Sequence, residues 1–124
     1  NVASTVGFVP GPFMSVYAAT KAFILSFSQA LAYELKSFGI TVTALCPGPT
    51  RTEFYKTANI KNQKSFEQTA ASAQEVAEFG YKSLLKRKSV AICGLINTSL
   101  VTVSRILPRN FTVSTTGRYQ KLKY

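Results

Sequence analysis

An α/β fold with a parallel sheet and crossover helices is predicted by three features of the chain. Apolar β-branched runs alternate with helical stretches in the order strand, helix, strand, helix, strand. The run Ile40-Thr41-Val42-Thr43-Ala44-Leu45-Cys46 is short and uninterrupted, as suits a strand buried on both faces. Gly and Pro punctuate the transitions at Gly39, Pro47-Gly48-Pro49 and Gly94. The length of 124 residues supports one small domain. Hydrophobic residues form 46% of it, enough to build a core and too many for a disordered chain.

Taken in order, Asn1-Val2-Ala3-Ser4 reads as the end of a strand that enters a loop, Gly7-Phe8-Val9-Pro10-Gly11-Pro12. A long helix is expected from Phe13 to Phe38: Ala is frequent and no Gly or Pro intervenes before Gly39, which serves as the C-cap. Its apolar residues, among them Val16, Phe23, Ile24, Phe27 and Leu31, cover most of the circumference. A helix of that kind is expected to be buried on more than one face, against a sheet and against a second helix. After the strand at Ile40 to Cys46, the segment from Arg51 to Thr69 is polar and lacks periodicity. Ser72-Ala73-Gln74-Glu75 has the capping-box pattern and opens a helix with Val76, Phe79, Leu84 and Leu85 on its apolar stripe. Val90 to Cys93 reads as another strand, and Asn97 is expected to cap an apolar helix that Pro108 ends. The residues beyond are basic and weakly patterned, compatible with a last helix. The start at Asn1, with residues that already read as structural, is the one expected of a piece of a longer protein, excised or numbered from an internal point, with a sheet open at its amino-terminal edge. No signal-peptide pattern opens the chain, and no uncharged apolar run reaches the roughly 18 residues of a membrane span.

The formal charge is +10 and uneven: from Lys82 onward there are nine Lys and Arg residues and no Asp or Glu. No nucleic-acid motif accompanies this charge, so a solvated basic face is preferred over a nucleic-acid surface. A membrane surface met by Leu100 to Leu107 and the basic tail is the less favoured reading. Cys46 and Cys93 lack metal-ligand spacing, and there is no His to complete a zinc site or a Ser-His-Asp triad, so no metal site is expected. Both read as thiols of a reducing, cytoplasmic compartment.

The residues that carry chemistry are Ser4, Tyr17 and Lys21. Tyr17 and Lys21 stand four apart in a helix, so their side chains emerge on one face. A phenol, with a pKa of about 10, is a poor general acid/base at neutral pH, and a neighbouring ammonium favours its phenolate form. Ser4 lies at a strand end, where α/β proteins place groups that touch ligands, and its hydroxyl suits a hydrogen bond to a substrate carbonyl. A Tyr and a Lys four apart are common by themselves. Their combination with Ser4, the Gly/Pro loop, the Ala-rich helix and the Pro-Gly strand end is specific.

These elements together resemble the carboxyl-terminal half of a short-chain dehydrogenase/reductase. Asn1-Val2-Ala3-Ser4 is similar to the family's Asn-x-Ser-Ser strand end, Tyr17-x-x-x-Lys21 matches its active-site signature, and Pro47-Gly48-Pro49-Thr50-Arg51-Thr52 matches its Pro-Gly-x-x-x-Thr turn. Leu107-Pro108-Arg109 is similar to a bacterial-type subgroup. The resemblance implies a Rossmann-like doubly wound parallel sheet, truncated to its carboxyl-terminal strands and helices. Residues 1–94 would form the carboxyl-terminal half of the catalytic domain and residues 95–124 a basic helical extension. It further implies an oxidoreductase that interconverts a carbonyl and an alcohol with NAD or NADP. Tyr17 would give the proton, Ser4 would position the substrate oxygen, and Lys21 would hold the nicotinamide ribose. Pro47 and Gly48 would lie against the nicotinamide, and Thr50 and Thr52 would contact its carboxamide.

The family's Gly-rich pyrophosphate turn, its NAD/NADP-selecting residue and its catalytic Asn have no counterpart in this sequence. Gly7-x-x-x-Gly11 imitates part of that turn but precedes Pro12 and the catalytic helix, so it is a loop feature. The chain alone is therefore expected to bind cofactor poorly and to be inactive. Its partners are expected to be a small carbonyl or alcohol substrate and either a second copy, through the helix from Phe13 to Phe38, or the missing amino-terminal half. A catalytically idle remnant acting as an interaction module is the alternative.

Overall fold

The computed structural model describes residues 1–53 and 70–121; most of the polar segment after Thr52 lies outside them. Helix α1 spans Ser15–Glu34, shorter than the sequence suggests at both ends. At its start, Phe13 takes φ 64, a left-handed conformation that cannot extend a helix, and the Met14 amide donates to the Gly11 carbonyl instead (3.0 Å). At its end the chain tightens into a 3-10 turn, Lys36–Phe38, closed by Gly39 at φ 73. Gly39 thus acts as the expected left-handed stop, one turn beyond the α-helix proper.

Strand β1, Ala44–Cys46, pairs in parallel with β4, Val90–Ile92, in the register Ala44 to Val90 and Cys46 to Ile92. The first residues flank β1 on its other edge. Val2 bridges Leu45 in parallel, Ala3 N–H donates to Leu45 O (2.8 Å), and Leu45 N–H donates to Asn1 O (2.9 Å). The amino-terminal segment therefore pairs like a strand end, as expected. Ile40 to Thr43 run past the β4 ladder and are not strand, which shortens the predicted run to its last three residues. Cys93 likewise falls outside β4. A second, two-residue ladder joins β2, Thr50–Arg51, to β3, Ala71–Ser72, also in parallel.

Side chains alternate across β1 and find helices on both faces. Ala44 and Cys46, fully buried, cluster with Ala3 and with Leu25 of α1. Leu45 faces the other way, onto α2, Ala73–Leu85, where a Cβ built on Gly80 would lie 2.8 Å from Leu45 Cδ2. A parallel sheet covered on both faces is the doubly wound arrangement that the resemblance implies. Helix α2 starts with a complete capping box: the Ser72 hydroxyl accepts from Glu75 N–H (3.1 Å) and the Glu75 carboxylate accepts from Ser72 N–H (2.8 Å). The Ser72 bonds hold the Glu75 carboxyl below its usual range.

Helix α3, Leu95–Ile106, is capped by Gly94 at φ 90 and not by Asn97. Asn97 lies within the first turn, and its amide donates backward to Cys93 O (2.7 Å). Pro108 ends this helix, and α4, Arg109–Lys121, follows as the last described element.

The burial expected around α1 is met on one side only. Ala18, Leu25 and Ser28 are buried, whereas Val16 and Phe23 are 77% and 68% exposed. Phe23 and Phe27 stack on each other on that outer face, with ring centroids 5.8 Å apart.

Candidate active site

Ser4 sits where the amino-terminal segment leaves the sheet. It is buried, it caps the 3-10 turn Thr5–Phe8 by accepting from Val6 N–H (3.3 Å), and its hydroxyl donates to Pro47 O at 3.4 Å. Pro47 O also accepts from Thr5 N–H (3.0 Å), so the Ser4 strand end and the Pro47-Gly48 strand end are tied side by side. This follows from parallel pairing, which brings the carboxyl ends of neighbouring strands to one edge of the sheet.

Tyr17 and Lys21 share the face of α1 that turns toward this edge. The Lys21 ammonium lies 5.7 Å from the Tyr17 ring centroid and donates to the Val2 carbonyl (3.0 Å), two residues before Ser4. Both side chains are half-buried. The structure therefore pairs Lys21 with Tyr17 and Ser4 with Pro47, and the segment Val2 to Ser4 links the two pairs, since its Val2 carbonyl accepts from Lys21.

Two glycines make this approach possible. A Cβ on Gly7 would stand 2.8 Å from the Lys21 carbonyl oxygen, and one on Gly11 would stand 2.7 Å from Ala18 Cβ. The Gly7-x-x-x-Gly11 spacing thus serves close packing of the loop on α1, which bears out its reading as a loop feature.

The Pro47-Gly48 turn is backed by α3. Asn97 occupies the space that a Cβ on Gly48 would need, a contact the sequence reading missed because it assigned Asn97 to a helix cap. Thr50 turns its hydroxyl to Gly48 O (3.0 Å). Thr52 is exposed just beyond the β2 ladder.

Cys46 is buried beneath the turn, and burial pushes its thiol up to about 11. Cys93 is raised as well, chiefly by burial. Both thiols are free, and among the described residues no group of His, Cys, Asp or Glu is placed to hold a metal ion.

Residues 1–63, just over half of the 124, match the family model for short chain dehydrogenase. The chain belongs to the short-chain dehydrogenase family. Among curated relatives, 17-beta-hydroxysteroid dehydrogenase type 3 of Rattus norvegicus is 34% identical across 96% of this chain and 37% of its own length. Very-long-chain 3-oxoacyl-CoA reductase of the same organism is 49% identical over 47 residues, which are 38% of this chain and 15% of that protein. A short-chain dehydrogenase from Sphingobium yanoikuyae, solved in complex with NADPH, superposes with a TM-score of 0.68 at 38% identity, over 77% of this chain and 36% of that one. A 7beta-hydroxysteroid dehydrogenase superposes with a TM-score of 0.76 at 24% identity, over 94% of this chain and 46% of that one, and shows the Rossmann-type fold. The chain thus spans little more than a third of the length of the curated steroid dehydrogenases it matches. Its family uses NAD or NADP.

Proposed function

We propose that this chain carries the proton-transfer half of an NAD- or NADP-dependent oxidoreductase that interconverts a carbonyl and an alcohol. The observation that carries the reading is the Lys21 ammonium held 5.7 Å from the Tyr17 ring, on the edge where Ser4 and Pro47 meet. The donor set of phenol, ammonium and hydroxyl fits the nicotinamide end of the cofactor and a carbonyl beside it. Bound cofactor supplies the hydride.

In this reading Tyr17 Oη gives its proton to the substrate oxygen as that oxygen gains negative charge. Ser4 donates to the same oxygen and fixes its position; the 3.4 Å bond to Pro47 O is long and readily exchanged for one to substrate. An ammonium has three N–H donors, so the bond from Lys21 to Val2 O leaves others for ribose hydroxyls. That backbone bond also holds the ammonium beside the Tyr17 ring. Pro47 and Gly48 flank the nicotinamide, with Thr50 through its backbone and Thr52 through its hydroxyl on the carboxamide. Residues 1–94 form this catalytic part and residues 95–124 a helical extension. Two free thiols fit a reducing cytoplasmic compartment. The curated relatives act on a steroid and on an acyl-CoA, and a bulky carbonyl compound of one of these classes is the substrate we favour.

The Gly-rich pyrophosphate turn has no counterpart in the sequence, so in this reading the isolated chain is inactive and another segment of the protein, or another chain, completes the cofactor site. The exposed Val16, Phe23 and Phe27 on α1 favour an association surface there, for a second copy or for that completing segment. The alternative of an idle interaction module rests on the same surface. A fluorescence titration of the protein that carries this chain with NADPH separates the two. Saturable binding that Lys21→Ala weakens about tenfold supports the enzyme. Binding that is absent, or indifferent to Lys21→Ala, supports the idle module.

A further inference from the structure

Helix α3 is amphipathic in the inverted sense. Leu95, Ile96, Leu100, Val103 and Ile106 fall within an arc of about 140° on a helix of about 100° per residue. All five are exposed, from 52% at Val103 to 88% at Leu95. The opposite side faces the protein: Val101 is buried, Asn97 packs against Gly48, and Arg105 leans over the Phe8 ring at 6.0 Å. The sequence establishes the apolar stripe but not its direction, and contacts on the polar side turn it outward.

The carboxyl-terminal part of the chain that carries this face is basic. No Asp or Glu occurs after Glu78, and Lys86, Arg87, Lys88, Arg105, Arg109, Arg118 and Lys121 all follow it. These seven side chains are exposed. An outward aliphatic face in a segment, residues 95–121, whose only charged side chains are cationic complements an anionic lipid surface, which offers hydrocarbon beneath a layer of phosphate. A protein partner would have to provide an apolar groove and a matching acidic rim. A bilayer provides both without specific shape. Lys and Arg can keep their charges at headgroup depth while their stems lie along an apolar layer. At 12 residues, α3 is about 18 Å long, short of the roughly 30 Å hydrocarbon core. Among the described residues no helix is long and apolar enough to cross a membrane.

We propose that α3 lies flat on an anionic membrane surface, with Leu95, Ile96, Leu100, Val103 and Ile106 in the acyl boundary and the basic residues at the headgroups. This places the Pro47-Gly48 turn, backed by Asn97 on the opposite side of α3, directly above the lipid. A carbonyl substrate dissolved in the bilayer then has a short path to the site, a consequence that rests on the proposed function; the membrane contact itself does not.

Co-sedimentation of the full chain with vesicles tests it. Vesicles of phosphatidylcholine with phosphatidylglycerol at about one part in three should bind the chain roughly tenfold more tightly than phosphatidylcholine alone. Raising the salt should weaken that preference, because headgroup attraction is screened. Ile96→Glu with Leu100→Glu should lower partition at least about tenfold while helical circular dichroism is kept, since both side chains are exposed. Absence of vesicle binding overturns the proposal. So does binding that the double variant leaves unchanged. Loss of a dimer in light scattering by the double variant, without vesicle binding, also overturns it and assigns the face to a second copy.

Discussion

Gly7→Ala is a small change with a large expected effect, because of what stands opposite it. The added Cβ would lie 2.8 Å from the Lys21 carbonyl oxygen, 3.0 Å from its carbon and 3.2 Å from the Ala22 nitrogen. All three atoms belong to the backbone of α1, whose hydrogen-bonded turns do not yield to one methyl group. The Thr5–Phe8 turn must move instead, and Ser4, which caps that turn, must move with it. Overpacking of this kind costs about 1–3 kcal/mol. Gly7 lies outside the left-handed region, so the Ala backbone itself fits and stiffening of the unfolded chain returns about 0.4–1 kcal/mol. A net loss of roughly 1–2 kcal/mol is expected. Urea unfolding followed by circular dichroism measures it as a lower midpoint at unchanged slope. Gly39→Ala is the control: its φ of 73 costs about 1 kcal/mol in strain, but open space surrounds it and the site is untouched. A Gly7→Ala chain as stable as the wild type would refute the packing argument.

Other perturbations follow from single contacts. Thr43 is buried and its hydroxyl meets no hydrogen-bond partner among the described residues, so Thr43→Val should raise stability by about 1 kcal/mol in the same urea assay. Ser72→Ala should cost about 1 kcal/mol by removing the cap of α2. The depressed Glu75 carboxyl adds stability above the ordinary carboxylate range that is lost as pH falls through its folded value, so an acid titration should destabilise the wild type more than Glu75→Gln. Cys46 behaves in the opposite direction: the unfolded thiol ionises near 9.0 and the folded one near 11, so stability falls as pH rises through that window. Iodoacetamide should accordingly alkylate Cys93, which is half-buried, before the fully buried Cys46.

Periodicity and punctuation carried most of the fold. The order of strands and helices, the capping box at Ser72 and the left-handed stop at Gly39 were all legible, because each rests on local chemistry. Limits of elements were less so. Phe13 reads as a helix former, yet the turn through Gly11 and Pro12 forces it left-handed. Ile40 to Thr43 read as strand, but a strand is a ladder and their neighbour begins pairing only at Val90. Asn97 has the chemistry of a cap, and only the positive φ of Gly94 and the space beside Gly48 reveal its place. For the candidate site, the i, i+4 spacing of Tyr17 and Lys21 announced their pairing. The anchor of Lys21 on the Val2 carbonyl could not be read, since it depends on how a strand end meets a helix 19 positions later. The outward turn of the α3 stripe was invisible for the same reason: composition sets a stripe, and tertiary contacts set its direction.

Turnover of the protein that carries this chain, with NADPH and a bulky ketone, tests the central claim when Tyr17 is replaced by Phe. The ring and its contact with Lys21 are kept, and only the proton donor is removed. The account predicts a fall in kcat of about 10²–10⁴ with unchanged circular dichroism, the span of a general acid. Undiminished turnover by Tyr17→Phe would contradict it and remove Tyr17 from the proton path.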